Sequence, residues 1–317
     1  MTDVAGHVVV TGAAGFVGSR LVSRLLEEPA FAEARFSLND RALDPPTDPR
    51  VRIVPGDFAD PAVRAALIDG RADIVYHLGG VLGGAAESQP SLARAVNVDA
   101  TLSLFEALQD PANPPRIVFA SSIAVFGAPL PAHIDDATLP HPTMLYGAQK
   151  AMMELALAQA SARGWIDGLA LRLPGIVVKP NADARMKSAF INRVFEVHAA
   201  GDDLVMPVSA DGTTWLLSVA ACVDALVHGG RITTDRLGQR RALTLPAQNV
   251  RFGDLVAALR AHFPDSPTTI TYAPDAQIEA QFGRQPPLST PIADSLGFVH
   301  DGDLATLVAR GLREIGA

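Results

Sequence analysis

Tyr146 and Lys150 stand four residues apart at the start of a segment with helical periodicity, Leu145 to Arg163, and that spacing puts both side chains on one face of a helix. A tyrosine hydroxyl has an ordinary pKa near ~10, so acting as a base at neutral pH requires a fall of about 3 units, or about 4 kcal/mol. A neighbouring ammonium favours the phenolate in the required sense. Ser122 follows the predicted strand Arg116 to Ala120 and can hydrogen-bond a reacting oxygen. A Tyr-x-x-x-Lys pair alone is common on solvated helix faces, so its meaning depends on the rest of the chain.

Upstream stands Thr11-Gly12-Ala13-Ala14-Gly15-Phe16-Val17-Gly18, which follows an apolar strand and opens a helix. Glycines at these spacings permit a sharp turn, close backbone approach to a pyrophosphate and tight helix-to-strand contact, while the helix N-terminus offers unbonded N–H groups. In strand-turn-helix context this is a dinucleotide-binding signature. Roughly twenty residues beyond the turn, the second strand should end in an acid if the ribose carries a free 2′-hydroxyl. Asp40 stands there, which favours NAD over NADP, although the guanidinium of Arg41 next to it could receive a 2′-phosphate. Asp57, with Phe58 beside it, either accepts from the adenine amino group or caps a helix; both readings stay open.

The elements that must position these groups alternate along the first half of the chain. Strands are predicted at His7–Thr11, Ala34–Asn39, Val51–Pro55, Asp73–His77, Arg116–Ala120 and Gly168–Leu173, and helices at Gly15–Glu28, Pro61–Asp69, Pro90–Gln109 and Leu145–Arg163. Such alternation requires a parallel sheet with helices on both faces, an α/β doubly wound Rossmann domain. After Pro174 the rhythm breaks among prolines, with helices predicted at Met186–Ala199, Phe252–Ala261 and Leu304–Ile315. The expected organisation is a dinucleotide-binding domain over 1–175, to which about 215–248 returns, and a smaller, mostly helical substrate-binding cap over 176–214 and 249–317.

Composition excludes several other classes. The chain has 317 residues, 48% hydrophobic and 19% charged, with a net charge of −8. A disordered chain would be less apolar, and a nucleic-acid or anionic-membrane partner would want a basic excess. With Cys222 as the one cysteine, no internal disulfide and no cysteine-based zinc site can form, and no metal is expected. The apolar run Val8–Gly18 lacks a basic leader and is rich in glycine, so export is not expected and a reducing cytoplasm fits.

The turn at 11–18, Ser121-Ser122-Ile123-Ala124-Val125-Phe126-Gly127, Tyr146-Gly147-Ala148-Gln149-Lys150 and Leu171-Arg172-Leu173-Pro174 together resemble the extended short-chain dehydrogenase/reductase superfamily over nearly the whole first domain. The resemblance implies a Ser122, Tyr146, Lys150 triad, with Tyr146 as acid and base and Lys150 also holding the nicotinamide ribose. It implies that Asn97 supports the lysine through water. Leu78, Gly79 and Gly80 would border the adenine ribose, and Pro174 to Ile176 the nicotinamide. Dehydratases of that superfamily carry a Thr-Asp-Glu run at the serine, whereas Ser122-Ile123-Ala124 stands here. Its sugar-nucleotide epimerases carry an asparagine where Gly175 stands and a diphosphate clamp where Thr213-Thr214-Trp215-Leu216 stands.

What remains resembles the D-erythronate dehydrogenase group, which implies NAD-dependent oxidation of the 2-hydroxyl of a small sugar acid. A carboxylate substrate needs donors. Arg185, Lys187 and Ser188 at the start of the cap are candidates, as are Val81 and Leu82 in the loop that would border the substrate; each charged one could equally be a solvated side chain. Trp215 either walls the pocket or fills the core. His77 reads as structural, since Tyr146 already takes the role of base. The helices Pro90–Gln109 and Leu145–Arg163 imply a homodimer by resemblance, though an intrachain core explains their apolar stripes as well. Two other readings stay open: a nucleoside-diphosphate-sugar 4-epimerase holding NAD tightly, and a non-catalytic dinucleotide sensor.

Overall fold

The computed structural model describes residues 6–44, 47–180, 187–233, 235 and 239–317. In chain order the strands and helices are β1 (His7–Thr11), α1 (Phe16–Glu27), β2 (Arg35–Asn39), β3 (Val51–Ile53), α2 (Pro61–Leu67), β4 (Ile74–His77), α3 (Gly83–Ser88), α4 (Pro90–Arg94), α5 (Thr101–Ala107), β5 (Arg116–Ser122), α6 (Leu145–Ala162) and β6 (Asp167–Leu173). They continue with β7 (Gly175–Val177), α7 (Phe190–Ala200), β8 (Leu204–Met206), β9 (Thr213–Ser218), α8 (Val219–Arg231), β10 (Ala242–Thr244), β11 (Gln248–Arg251), α9 (Phe252–His262), β12 (Ile270–Tyr272), α10 (Ala276–Phe282), α11 (Pro291–Ser295) and α12 (Leu304–Glu314).

Two compact units divide the chain. The first takes the described parts of 1–125, 140–173 and 223–244; the second takes 126–139, the described parts of 174–222, and 245–317.

The first unit is built on a seven-stranded sheet in the order β10-β6-β5-β4-β1-β2-β3, parallel throughout. β1 is a run of three valines between His7 and Thr11, and all five residues are buried, as a strand covered on both faces must be. Helix α1 turns Leu21, Val22 and Leu25 inward, each removal from water contributing about 1.5–3 kcal/mol. Order reverses between β1 and β4, and this switch point opens the crevice where a doubly wound sheet takes its ligand. Register sets the site: Thr11 pairs with Asn39 on one side and His77 on the other, His77 with Phe119, and Ser122 with Leu173.

The expected helix over Pro90–Gln109 is present as one continuous run to Ala107, made of α4, a π-helical turn Ala95–Ala100, and α5. Thr101 Oγ1 donates to the Val96 carbonyl across that wider turn at 3.2 Å.

The second unit carries two small sheets, β11-β9-β7 and β12-β8, that the sequence reading did not resolve. Its core includes Phe190, Val194 and Phe195 from α7, Phe252, Leu255 and Leu259 from α9, and Leu307 and Leu312 from α12. Trp215 is 1% exposed and its indole N–H donates to the Pro286 carbonyl at 2.7 Å, so of its two readings the core one holds. Among the described residues no helix is long and apolar enough to cross a membrane.

Candidate functional site

The turn after β1 begins with Gly12 at φ 70°, a left-handed conformation that side chains rarely adopt. Gly18 is held against the turn so closely that a Cβ would overlap the Gly12 carbonyl. Ala14 and Gly15 are exposed, Phe16 and Val17 half-buried, and no side chain caps the first turn of α1. Orphan N–H groups at such a helix start, beside a backbone free of side chains, suit a pyrophosphate. At the end of β2 the Asp40 carboxylate accepts from Ala14 N at 3.0 Å and from Arg41 N at 2.7 Å, tying the acid to the phosphate turn; Arg41 itself is exposed. Asp57 accepts from Ala59 N at 2.8 Å, while the cap of α2 is Asp60. Phe58 is buried with its ring centroid 5.0 Å from that of His77. These residues fit the adenosine and diphosphate portion of a dinucleotide.

After β4 the loop Leu78-Gly79-Gly80-Val81 lies along the mouth of the crevice. Leu78 N donates to Thr11 O at 3.2 Å and Gly79 N to Thr11 Oγ1 at 3.1 Å. Asn97, buried in the π-helical turn, accepts from Val81 N at 2.7 Å and donates to Val81 O at 2.9 Å and to Gln149 Oε1 at 2.8 Å. The side-chain amide thus clips the loop to α6. Leu82 is exposed. Glu87 on α3 accepts from Leu145 N at 2.7 Å and so caps the helix that carries Tyr146, whose own N-cap residue, Met144, offers no side-chain bond.

Ser122, Tyr146 and Lys150 stand at the end of β5 and the first turns of α6. Lys150 is buried, its ammonium donating to Ala120 O at 2.7 Å, 4.5 Å from the Phe119 ring centroid and 5.6 Å from that of Tyr146. Burial pushes its pKa down to about 8, with the Glu154 carboxylate opposing the fall. Burial pushes the half-buried Tyr146 phenol up to about 12. This runs against the expectation that the ammonium lowers it: in the protein alone, loss of water around the ring outweighs the charge at this distance. Ser122 Oγ accepts from Ala124 N at 3.1 Å, which leaves its own O–H available to a substrate oxygen.

Behind the lysine, Ser121 Oγ donates to Glu154 at 2.5 Å, and Arg172 donates to both Glu154 oxygens through Nε at 3.0 and 3.2 Å and through Nη2 to Oε2 at 2.8 Å. This buried pair joins β5, α6 and β6, and only its Arg172 end stood in a motif.

The remaining candidates fall elsewhere. Pro174 and Ile176 belong to the second unit, buried and half-buried. Lys187 is exposed and Ser188 half-buried ahead of α7, and Arg185 lies outside the described residues. Thr101, Glu154 and Glu87 stand outside the quoted motifs, and Thr11 and Gln149 stand inside them with no role assigned from the sequence. The absent N-cap of α6 was the one signal that could have pointed to Glu87.

A family model described as the NAD dependent epimerase/dehydratase family matches residues 8–228. The chain is 35% identical over 323 residues to a D-erythronate dehydrogenase of Cupriavidus necator, covering 98% of this chain and 99% of that one. It is 32% identical over 254 residues to a D-erythronate dehydrogenase of Haemophilus influenzae, covering 80% and 81%. The crystal structure of a nucleoside-diphosphate-sugar epimerase from Agrobacterium tumefaciens superposes with a TM-score of 0.88 at 30% identity, covering 98% of this chain and 94% of that one. One alignment spans the phosphate turn, the serine after β5 and the Tyr146–Lys150 helix, and the chain accordingly is an oxidoreductase that belongs to the NAD dependent epimerase/dehydratase family.

Proposed function

We propose that the protein oxidises the C2 hydroxyl of a small sugar acid such as D-erythronate to the 2-oxo acid, with NAD as the acceptor and Ser122, Tyr146 and Lys150 carrying the reaction. The observation that carries this reading is the buried Lys150 ammonium, held by the Ala120 carbonyl beside the Tyr146 ring at the carboxyl end of the sheet. The choice of substrate follows the name of the near full-length relative from Cupriavidus necator.

When bound, the nicotinamide would supply a hydride acceptor at C4 and a positive charge. Tyr146 takes the proton of the substrate hydroxyl as the C2 hydride leaves. Lys150 would stabilise the phenolate and hold the nicotinamide ribose. Ser122 turns its O–H to the oxygen that becomes the carbonyl. Positioned proton transfer of this kind contributes about 10²- to 10⁴-fold. Asp40, already bonded to Ala14 N, places a negative charge where a ribose 2′-hydroxyl is welcome and a 2′-phosphate is repelled.

A panel of four- to six-carbon aldonates assayed with NAD and with NADP tests the reading. NADH absorbance rising with D-erythronate or a near relative, and far less signal with NADP, is the expected result; no signal across the panel contradicts it. The likeness to the Agrobacterium tumefaciens epimerase favours a second reading, a sugar-nucleotide 4-epimerase. Purified protein that retains NAD, binds a nucleoside diphosphate and releases no NADH would support that reading instead.

We also infer a homodimer through α4, α5 and α6, which leave Leu92, Leu102, Leu145, Met152 and Leu155 exposed on the single chain.

A further inference from the structure

A second buried polar series runs behind the cofactor crevice. His77, at the end of β4, is fully buried, its ring centroid 5.7 Å from that of Phe119 at 20° and 6.2 Å from that of Phe105. Its Nδ1 lies 2.6 Å from Thr11 Oγ1 and its Nε2 3.0 Å from Thr101 Oγ1. The directions follow from the two ends. The Val96 carbonyl can only accept, so the Thr101 hydroxyl hydrogen points to it and Thr101 Oγ1 receives the Nε2–H of the imidazole. At the other end Gly79 N–H donates to Thr11 Oγ1, and the Thr11 hydroxyl hydrogen is spent on Nδ1. Burial, helped by the Lys150 charge, holds the ring neutral with a pKa pushed down to about 3. Four hydrogen bonds therefore run as two oriented branches from the imidazole, one to the Gly79 backbone and one to the Val96 backbone.

The joined pieces are those that a dinucleotide must lie across. Thr11 immediately precedes the phosphate turn, and a Cβ on Gly12 would stand 2.7 Å from Gly79 N, so turn and loop are already in contact. Val96 belongs to the π-helical turn whose Asn97 clips Val81. The loop 79–81 is thus held at one end by Thr11 and at the other by Asn97, with His77 bonded directly to Thr11 and, through Thr101, to the Val96 carbonyl next to Asn97. Between them sits Gly80, where a Cβ would be 3.0 Å from Asn97 Oδ1 and 3.8 Å from Lys150 Nζ.

We propose that His77 is a positioning residue for the cofactor: as the Nε2–H tautomer it fixes the spacing between the phosphate turn, the loop 79–81 and the π-helical turn, and thereby sets dinucleotide affinity rather than turnover. This rests on the nicotinamide reading given above.

The test uses the full-length protein with His77→Gln, Thr101→Val and Thr101→Ser, reading the Kd for NAD by titration, and KM for NAD and kcat with the aldonate found active. His77→Gln and Thr101→Val are expected to raise Kd and KM for NAD about tenfold, the loss of roughly one buried hydrogen bond, with kcat at saturating NAD nearly unchanged. Thr101→Ser, which keeps the hydroxyl, should restore wild-type affinity. Nitrogen-15 spectra of the histidine-labelled protein should show the His77 proton on Nε2 alone at pH 6 to 8. Unchanged NAD affinity in Thr101→Val, a fall in kcat without a change in affinity, or a proton on Nδ1 would each overturn the proposal. Wild-type protein that binds neither NAD nor NADP would instead contradict the nicotinamide reading, and the spectra would still decide the tautomer.

Discussion

Tyr146 is a phenol that burial holds protonated up to about 12, next to an amine that burial has brought down to about 8. Both shifts come mainly from loss of water, and they move the two groups apart, so in the protein alone the phenol keeps its proton while the amine still carries charge at neutral pH. Replacing Tyr146 with phenylalanine removes the proton acceptor and nothing else of comparable size. The expected outcome is a fall in kcat of about 10²- to 10⁴-fold with the thermal midpoint preserved, read by steady-state assay and calorimetry on the same preparation. Equal activity of the variant and its parent would point to a reaction that does not run through this hydroxyl. Tyr146, Lys150 and Ser122 were legible because spacing alone puts the first two on one helix face and the third after a strand. Their electrostatics were not, because the surroundings of the ammonium depend on Phe119 and on the carbonyl of Ala120, which reach it from β5.

At the scale of elements, the helix with the reacting groups is held by partners far along the chain. Glu87 caps its start, Gln149 is bonded to Asn97, and Glu154 is gripped by Arg172 and Ser121. A carboxylate 5% exposed and doubly bonded tolerates no loss of its partner. Arg172→Met is predicted to cost about 3–5 kcal/mol in urea unfolding, whereas Glu154→Met with Arg172→Met should cost much less, since the stranded charge goes with its partner. Additive costs in that double-mutant cycle would show that the pair is not coupled. Most strands and helices of the first unit could be read from the valine-rich runs and the 3.6-residue pattern; α3 and α8 were not. The π-helical turn could not, because the one extra residue in Ala95–Ala100 leaves the apolar periodicity of Pro90–Gln109 nearly intact. Nor could β7, β8, β10 and β12, each three residues long and too short to show alternation.

For the molecule as a whole, three histidines are held below their ordinary pKa, mainly by burial: His77 strongly, His7 and His198 in the same sense. In each case the unfolded chain binds the proton at a pH where the folded chain does not. Stability is therefore fully present above the unfolded value of about 6.5 and is lost as pH falls below it, by at most about 1.4 kcal/mol per pH unit for each such group. Urea midpoints measured from pH 7 down to pH 5 should fall, and the slope should be shallower in His77→Gln. A flat profile would mean that these rings are free to charge in place. The most direct test of the central claim is transfer of the C2 hydrogen itself. With D-erythronate deuterated at C2 and NAD, the account predicts deuterium at C4 of the reduced nicotinamide, one equivalent per 2-oxo acid formed, and both products formed about 10²- to 10⁴-fold more slowly with Tyr146→Phe. Reduced cofactor without deuterium, or turnover of the sugar acid with no reduced cofactor released, would contradict it.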